Sequence, residues 1–306
     1  MVKAVKEVKV FVPGHATCFF SPQITGDPLT TGSVGAGFCT ELGTLIKLRC
    51  YPGSGNDIRV SFSSSQRNLS ERLTNAPVSR LAAELYLEQA EISAVVDFTM
   101  DLDFPVGIGL GTSAGGALGA VLALNDIYGT LSVVETQQIA HIAEVIRKTG
   151  LGDVIAQTCG GFETRTIAGA PGIGKVIQYP EISADVLIIV HGTMKTRPVL
   201  ESQAFRVVAE SLGKELLEDF LSKITLSNLT RLGQIFARRS GLLTRDVQVF
   251  LDRAASIGLF EGSMVLIGNT SFLFVDDPKK VAKKLGINRQ HYYQTTIANS
   301  GALVLS

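Results

Sequence analysis

The sequence predicts an α+β protein in two units, residues 1–170 and 171–306. Three observations carry this reading. The chain has 306 residues, enough for two domains sharing a cleft. Apolar strand patterns and amphipathic helix patterns alternate with hairpin-like spacing. The turn Gly169-Ala-Pro-Gly172 then separates a glycine-rich half from one dominated by helical stretches.

Taken in order, Val8–Val12 reads as a short strand ending at Pro13-Gly14-His15. The polar, glycine-rich passage from Ser21 to Gly37 is expected to lack regular structure and to be either functional or disordered. Leu42–Cys50 and Ile58–Phe62 are strands flanking the turn Pro52–Asn56, and Val78–Glu91 is an amphipathic helix. Val95–Asp103 is a strand. Ser132 and Glu135 form a capping box that opens a helix reaching about Lys148, with Ile139, Ile142 and Ile146 as its expected apolar stripe. His141 and Glu144 fall on the other side, at adjacent turns. Gly150-Leu-Gly152 stops that helix just before Asp153, and Phe162–Ile167 is a strand containing Arg165. In the second half, Val186–Val190 is a buried strand, and helices occupy much of Ser202–Arg239 and Arg245–Ser256. Gly268-Asn-Thr270 interrupts a strand over Ser263–Val275, Asp277-Pro-Lys-Lys opens a helix, and Ala302–Leu305 is a last strand.

Composition narrows the class. Lys plus Arg and Asp plus Glu both number 28, so no net field draws the chain to nucleic acid or an anionic membrane. The four cysteines are scattered without a CxxC pair, which favours reduced thiols in a cytoplasm over disulfides or zinc. Lys3 and Lys6 interrupt any N-terminal signal pattern. The uncharged run Phe104–Leu124 approaches membrane-spanning length, but its glycines, Pro105 and the acidic flanks Asp103 and Asp126 make it a loop and buried helix of a soluble protein.

That run contains the most informative stretch, Pro105–Ala117, set between a strand and a small-residue helix. Glycines there allow close backbone approach, and a helix N-terminus offers free N–H groups to a phosphate. Other motifs overlap it. Gly109-x-Gly111-x-x-Ala114 fits a dinucleotide fingerprint, yet it lies about a hundred residues into the chain, after a strand disrupted by Pro105. Gly111-x-Ser113-x-Gly115 fits a hydrolase nucleophile elbow, but none of His141, His191 and His291 sits in a distinctive loop with an acid before it. Gly169–Lys175 approaches a Walker A loop, but Val176 stands where a magnesium-binding hydroxyl is needed. Phosphoryl transfer uses what is present: a cradle, the Ser113 hydroxyl, and the carboxylates of Glu144 and Asp153, hard oxygens suited to Mg²⁺.

The same residues resemble those of the GHMP kinases, named for galactose, homoserine, mevalonate and phosphomevalonate kinases. The resemblance runs over essentially the whole chain. It rests on Pro13–Pro22, the Ser33–Gly37 loop, Gly109-Leu-Gly-Thr-Ser-Ala114, Gly150-Leu-Gly-Asp-Val154 and Gly268-Asn-Thr270. The N-terminal stretch with Gly-Leu-Gly-Asp-Val points to the archaeal pantoate kinase branch of coenzyme A synthesis. His15 departs from many relatives, which carry Lys or Arg there.

The resemblance implies a two-domain GHMP kinase fold: a ribosomal protein S5 domain 2-like N-terminal domain, a ferredoxin-like C-terminal domain, and ATP between them. It implies that Pro105, Gly107, Gly109, Leu110, Gly111, Thr112, Ser113, Ala114 and Gly268 hold ATP, and that Ser113 and Glu144 ligate Mg²⁺. Asp153 would orient or deprotonate the substrate hydroxyl. A carboxylate such as that of pantoate calls for a bidentate cation, for which Arg165 is the candidate, with His141, Ser33 and Thr196 as further candidates. Mevalonate- or homoserine-type substrates and a catalytically silent nucleotide sensor are the alternatives. A homodimer is left open.

Overall fold

A computed structural model describes residues 6–52, 55–63 and 75–305. Two long strands organise it: β1 (Lys6–Gln23) and β2 (Gly32–Pro52) pair as one antiparallel hairpin. The passage expected to be structureless is therefore strand at both ends, up to Gln23 and from Gly32, with residues 24–31 as the connection. Alternation was hidden because the distal halves are buried on both faces, so Ala16, Phe19, Val34 and Phe38 pack beside buried His15, Ser21 and Ser33. The Pro13-Gly14 break is a β-bulge inside the strand, where proline's missing N–H is tolerated.

The proximal half of the hairpin pairs with β4 (Ala94–Leu102), which pairs in parallel with β3 (Asp57–Phe62). Ala94, Val96, Phe98, Met100 and Leu102 alternate inward, as the period-two pattern requires. They meet α1 (Pro77–Gln89), α2 (Thr112–Tyr128) and α3 (Val133–Arg147) in a first core. Most of α2 is buried, so its apolar run is a central helix. Among the described residues no helix is long and apolar enough to cross a membrane. The Pro52–Asn56 turn lies partly outside the described residues.

The capping box at Ser132 and Glu135 is formed. The apolar stripe of α3 differs from expectation. Ile146 is 51% exposed, while His141 and Glu144 are buried at 1% and 2%. The helix turns its polar pair inward because α2 and the segment 24–31 offer partners there. After it come α4 (Asp153–Cys159), β5 (Phe162–Ile167) and β6 (Lys175–Gln178). β5 pairs with the distal half of β2 and with β6.

The second sheet is antiparallel, in the order β10-β7-β9-β8, formed by β7 (Asp185–Gly192), β8 (Gly262–Val265), β9 (Asn269–Phe274) and β10 (Tyr292–Thr296). Helices α5 (Thr196–Glu201), α6 (Gln203–Ser222), α7 (Leu226–Arg239), α8 (Arg245–Ala255) and α9 (Pro278–Lys284) complete this half. The continuous helical pattern breaks where Thr225 caps α7 and accepts from the Asn228 N–H. The distal hairpin buries its aromatics against these elements. Phe38 stacks on Phe272 and Phe274 at 5.0 and 5.1 Å, and Phe20 packs on Phe236 at 5.5 Å. Strand β11 (Leu303–Leu305) returns to pair with β1, so segments on both sides of residue 170 contribute to the first sheet.

Candidate active site

The phosphate-loop candidate leaves β4 and enters α2. Gly107, Gly109 and Gly111 sit at φ 83°, 87° and 65°, a region that penalises any Cβ. Gly111 caps α2 without a side-chain acceptor, so the first-turn N–H groups are free for an anion. The loop is braced on three sides. Gln157 donates through Nε2 to the carbonyls of Gly111 (3.0 Å) and Pro13 (2.8 Å). The Met194 N–H donates to the Gly107 carbonyl at 2.8 Å. A Cβ on Gly109 would lie 2.8 Å from the Leu266 carbonyl oxygen and 3.1 Å from the Gly268 nitrogen. Gly268 thus backs the loop, while Leu266 and Ile267 reach the cavity.

That cavity, of about 520 Å³, lies under the loop. One lobe, with Phe62, Pro77, Val78, Met100 and Val106, is apolar and suits a flat ring. The other end carries the charge. Ser113 Oγ and Thr149 Oγ1 each donate to Glu144 Oε1 at 2.7 Å. Burial, reinforced by the Asp153 charge, pushes the Glu144 carboxyl up to about 7. Asp153 opens α4 but does not cap it; its Oδ1 lies 2.8 Å from His15 Nδ1, and its side chain is 24% exposed. A Cβ at Gly150 would collide with Glu144 Oε2 and sit 3.0 Å from Asp153 Oδ2. The two carboxylates therefore converge on one bare point of backbone.

Ser33, Gly152 and Thr196 line the cavity with Lys195 and Arg197. Arg165 is fully buried behind them. Its Nη1 donates to Glu163 Oε1 (2.6 Å) and its Nη2 to Thr17 Oγ1 (3.3 Å). Its Nε has no hydrogen-bond partner among the described residues and borders Gly152, where an added Cβ would lie 2.9 Å away. His141 lies outside the cavity wall, where its Nε2 bonds the Thr31 carbonyl at 2.8 Å and burial holds its pKa down. This ring pins the connection before Ser33. Pro105 precedes the glycines without lining the cavity, whereas Leu110, Thr112 and Ala114 line it.

Sequence reasoning missed Gln157, Thr149, the apolar lobe, Lys195 and Glu163. Only Glu163 carried a signal, an acid two residues before Arg165 on one strand face. Thr149 reaches back only five residues to Glu144, while Gln157, Lys195 and the apolar lobe depend on contacts distant in sequence. Among the described residues no group of three or more His, Cys, Asp or Glu could hold a metal. Glu144 and Ser113 supply only oxygen donors, a partial set that fits Mg²⁺ completed by phosphate and water.

Comparison with known proteins places the chain in a family. Residues 76–161 fit the family described as the GHMP kinases N terminal domain. The pantoate kinase of Thermococcus kodakarensis is 33% identical over 285 residues, 91% of each chain. That of Methanospirillum hungatei is 29% identical over 302 residues, 97% of this chain and 96% of the relative. A solved "phosphotransferase related to CoA biosynthesis pathway" has a TM-score of 0.84 at 29% identity, covering 98% of this chain and 99% of the other. The chain belongs to the GHMP kinase superfamily and has its mixed α+β fold. Within that superfamily its family is that of the archaeal pantoate kinases.

Proposed function

We propose that this chain transfers the γ-phosphoryl group of ATP to a hydroxyl of pantoate, giving 4-phosphopantoate for coenzyme A synthesis. The observation that carries the chemistry is the convergence of Glu144, held by Ser113, and Asp153 on Gly150, beneath the free N-terminus of α2. The family supplies the substrate class. The division at residue 170 belongs to the same proposal, since the cavity wall draws Met194–Leu200 and Leu266–Ile267 from the second half.

In this reading the loop amides hold the phosphates and the apolar lobe takes the base. Ser113 and Glu144 would hold Mg²⁺, which would neutralise phosphate charge. Asp153 Oδ2 faces the hydroxyl, orients it and accepts its proton as the oxygen–phosphorus bond forms and the bridge to ADP breaks. Arg165 Nε and Ser33, beside Gly152, receive the carboxylate, with Thr196 across the cavity. A carboxylate there would satisfy a buried donor that otherwise goes unmade. Assaying ADP release from Mg-ATP with pantoate, mevalonate, homoserine and related hydroxy acids tests the reading. Selective turnover of pantoate is expected, and turnover of mevalonate or homoserine with pantoate ignored refutes the substrate.

A further inference from the structure

His15 lies on β1, fully buried, with its ring between two carboxylates. Nδ1 is 2.8 Å from Asp153 Oδ1, and Nε2 is 3.0 Å from Glu163 Oε1. The Glu163 oxygen also accepts from Arg165 Nη1, which stands 3.2 Å from the same ring nitrogen. Space for this quartet comes from the opposing strand: Gly37 pairs with Glu163 and Gly35 with Arg165. A Cβ on Gly37 would lie 3.0 Å from His15 Nε2. Within the Ser33–Gly37 motif it is Gly37 that leaves room for the ring, whereas a side chain at Gly35 would meet the Phe19 carbonyl.

Proton counting and the charge of the cluster together point to the ring's state. A neutral imidazole has one N–H and one lone pair. With the proton on Nδ1, the Nε2 lone pair faces Glu163 Oε1, and its one donor is Arg165 Nη1 at the longer distance of 3.2 Å; with it on Nε2, the Nδ1 lone pair faces the Asp153 carboxylate. Only the doubly protonated ring donates to both. It also sets two cations, the ring and Arg165, against buried Glu163 and the partly exposed Asp153, whereas a neutral ring leaves one cation for two anions.

We propose that His15 is held as an imidazolium and serves as the positioning residue of Asp153. It ties Oδ1 to the Glu163–Arg165 pair, so that Oδ2 is presented to the cavity. This rests on the reading of Asp153 as the group beside the substrate hydroxyl. It also joins that group to the arginine beneath the carboxylate pocket through one ring and one shared oxygen. Burial and the Arg165 charge pull the ring toward the neutral form, but its bonds to Asp153 and Glu163 outweigh them and raise its pKa. Around the cluster the Cys18, Cys39 and Cys159 thiols are pushed up by burial and by Glu163 and stay neutral, and the Glu144 carboxyl is pushed up by burial and by Asp153.

The ring's state is read in the unmodified protein by ¹⁵N NMR of histidine-labelled enzyme, with His15 assigned by its absence from His15→Lys. At pH 7 both ring nitrogens are expected to be protonated. A singly protonated His15 overturns the proposal whatever the enzyme phosphorylates. Kinetics read the positioning. His15→Asn keeps one donor toward Asp153 but loses the charge, and should lower kcat roughly tenfold or more with KM for ATP within about twofold. His15→Lys restores a cation and should recover most of kcat. A kcat for His15→Asn within about twofold of wild type, or a folded His15→Lys no better than His15→Asn, counts against the role. Failure of the wild-type enzyme to turn over any hydroxy acid would sink the kinase reading instead, leaving the NMR result intact.

Discussion

Ser113, in the first turn of α2, donates to Oε1 of Glu144, in the last turn of α3, at 2.7 Å. The two residues are 31 apart in sequence, and the bond holds a buried carboxylate under a helix N-terminus.

Glu144 makes the stability of the metal-free protein depend on pH in a distinctive direction. Its carboxyl rises from 4.5 to about 7 on folding, so the folded state binds more protons between those values. The associated stability is fully present below 4.5 and is lost as pH rises through about 7. Added Mg²⁺ should therefore raise Tm more at pH 8 than at pH 5.5. Glu144→Gln should abolish that difference and lower turnover severely. Equal Mg²⁺ stabilisation at both pH values would remove Glu144 from the metal site.

Gly150→Ala places a methyl group against both carboxylates. We expect turnover to fall by about a hundredfold or more, with Mg²⁺ stabilisation weakened and binding of metal-free nucleotide within a few-fold of wild type. Unchanged turnover would mean that the carboxylates do not act at this point.

Asp153→Asn preserves shape and loses charge. The variant should fold and bind ATP yet lose on the order of a hundredfold or more in kcat. If Tm falls while kcat holds, Asp153 is structural.

Arg165 is expected to affect stability as well as binding. Arg165→Ala leaves Glu163 buried without its guanidinium partner, a loss of about 3–5 kcal/mol. Arg165→Lys keeps a charge without the fork, and should raise the KM for pantoate about tenfold while kcat stays within a few-fold. A lowered kcat at unchanged KM would place the substrate carboxylate elsewhere.

Local signals in the sequence were strong at the phosphate loop, where glycine spacing reports backbone conformation directly. The capping box at Ser132 and Glu135 and the inward alternation of β4 were equally legible, because each depends on neighbouring residues alone. The distal hairpin was not. A strand buried on both faces with His15, Ser21 and Ser33 inside it has no alternation, and its meaning lies in β5 and the aromatic helices. His141 was misplaced for a similar reason: its partner, Thr31, is 110 residues away. Arg165 was legible as a special residue, but its burial and its tie to Glu163 required the fold.

The β1–β2 hairpin crosses both hydrophobic cores, and this bears on how the protein melts. Val10, Val12, Ile46 and Leu48 belong to one core, while Phe19, Phe20, Val34 and Phe38 belong to the other. Neither core can come apart without stripping half of a shared ladder from its partner. Calorimetry should accordingly register one cooperative transition, with amide protons of residues 8–20 exchanging only through global opening. A fragment ending at residue 170 would present Phe20 and Phe38 to water and aggregate instead of folding by itself.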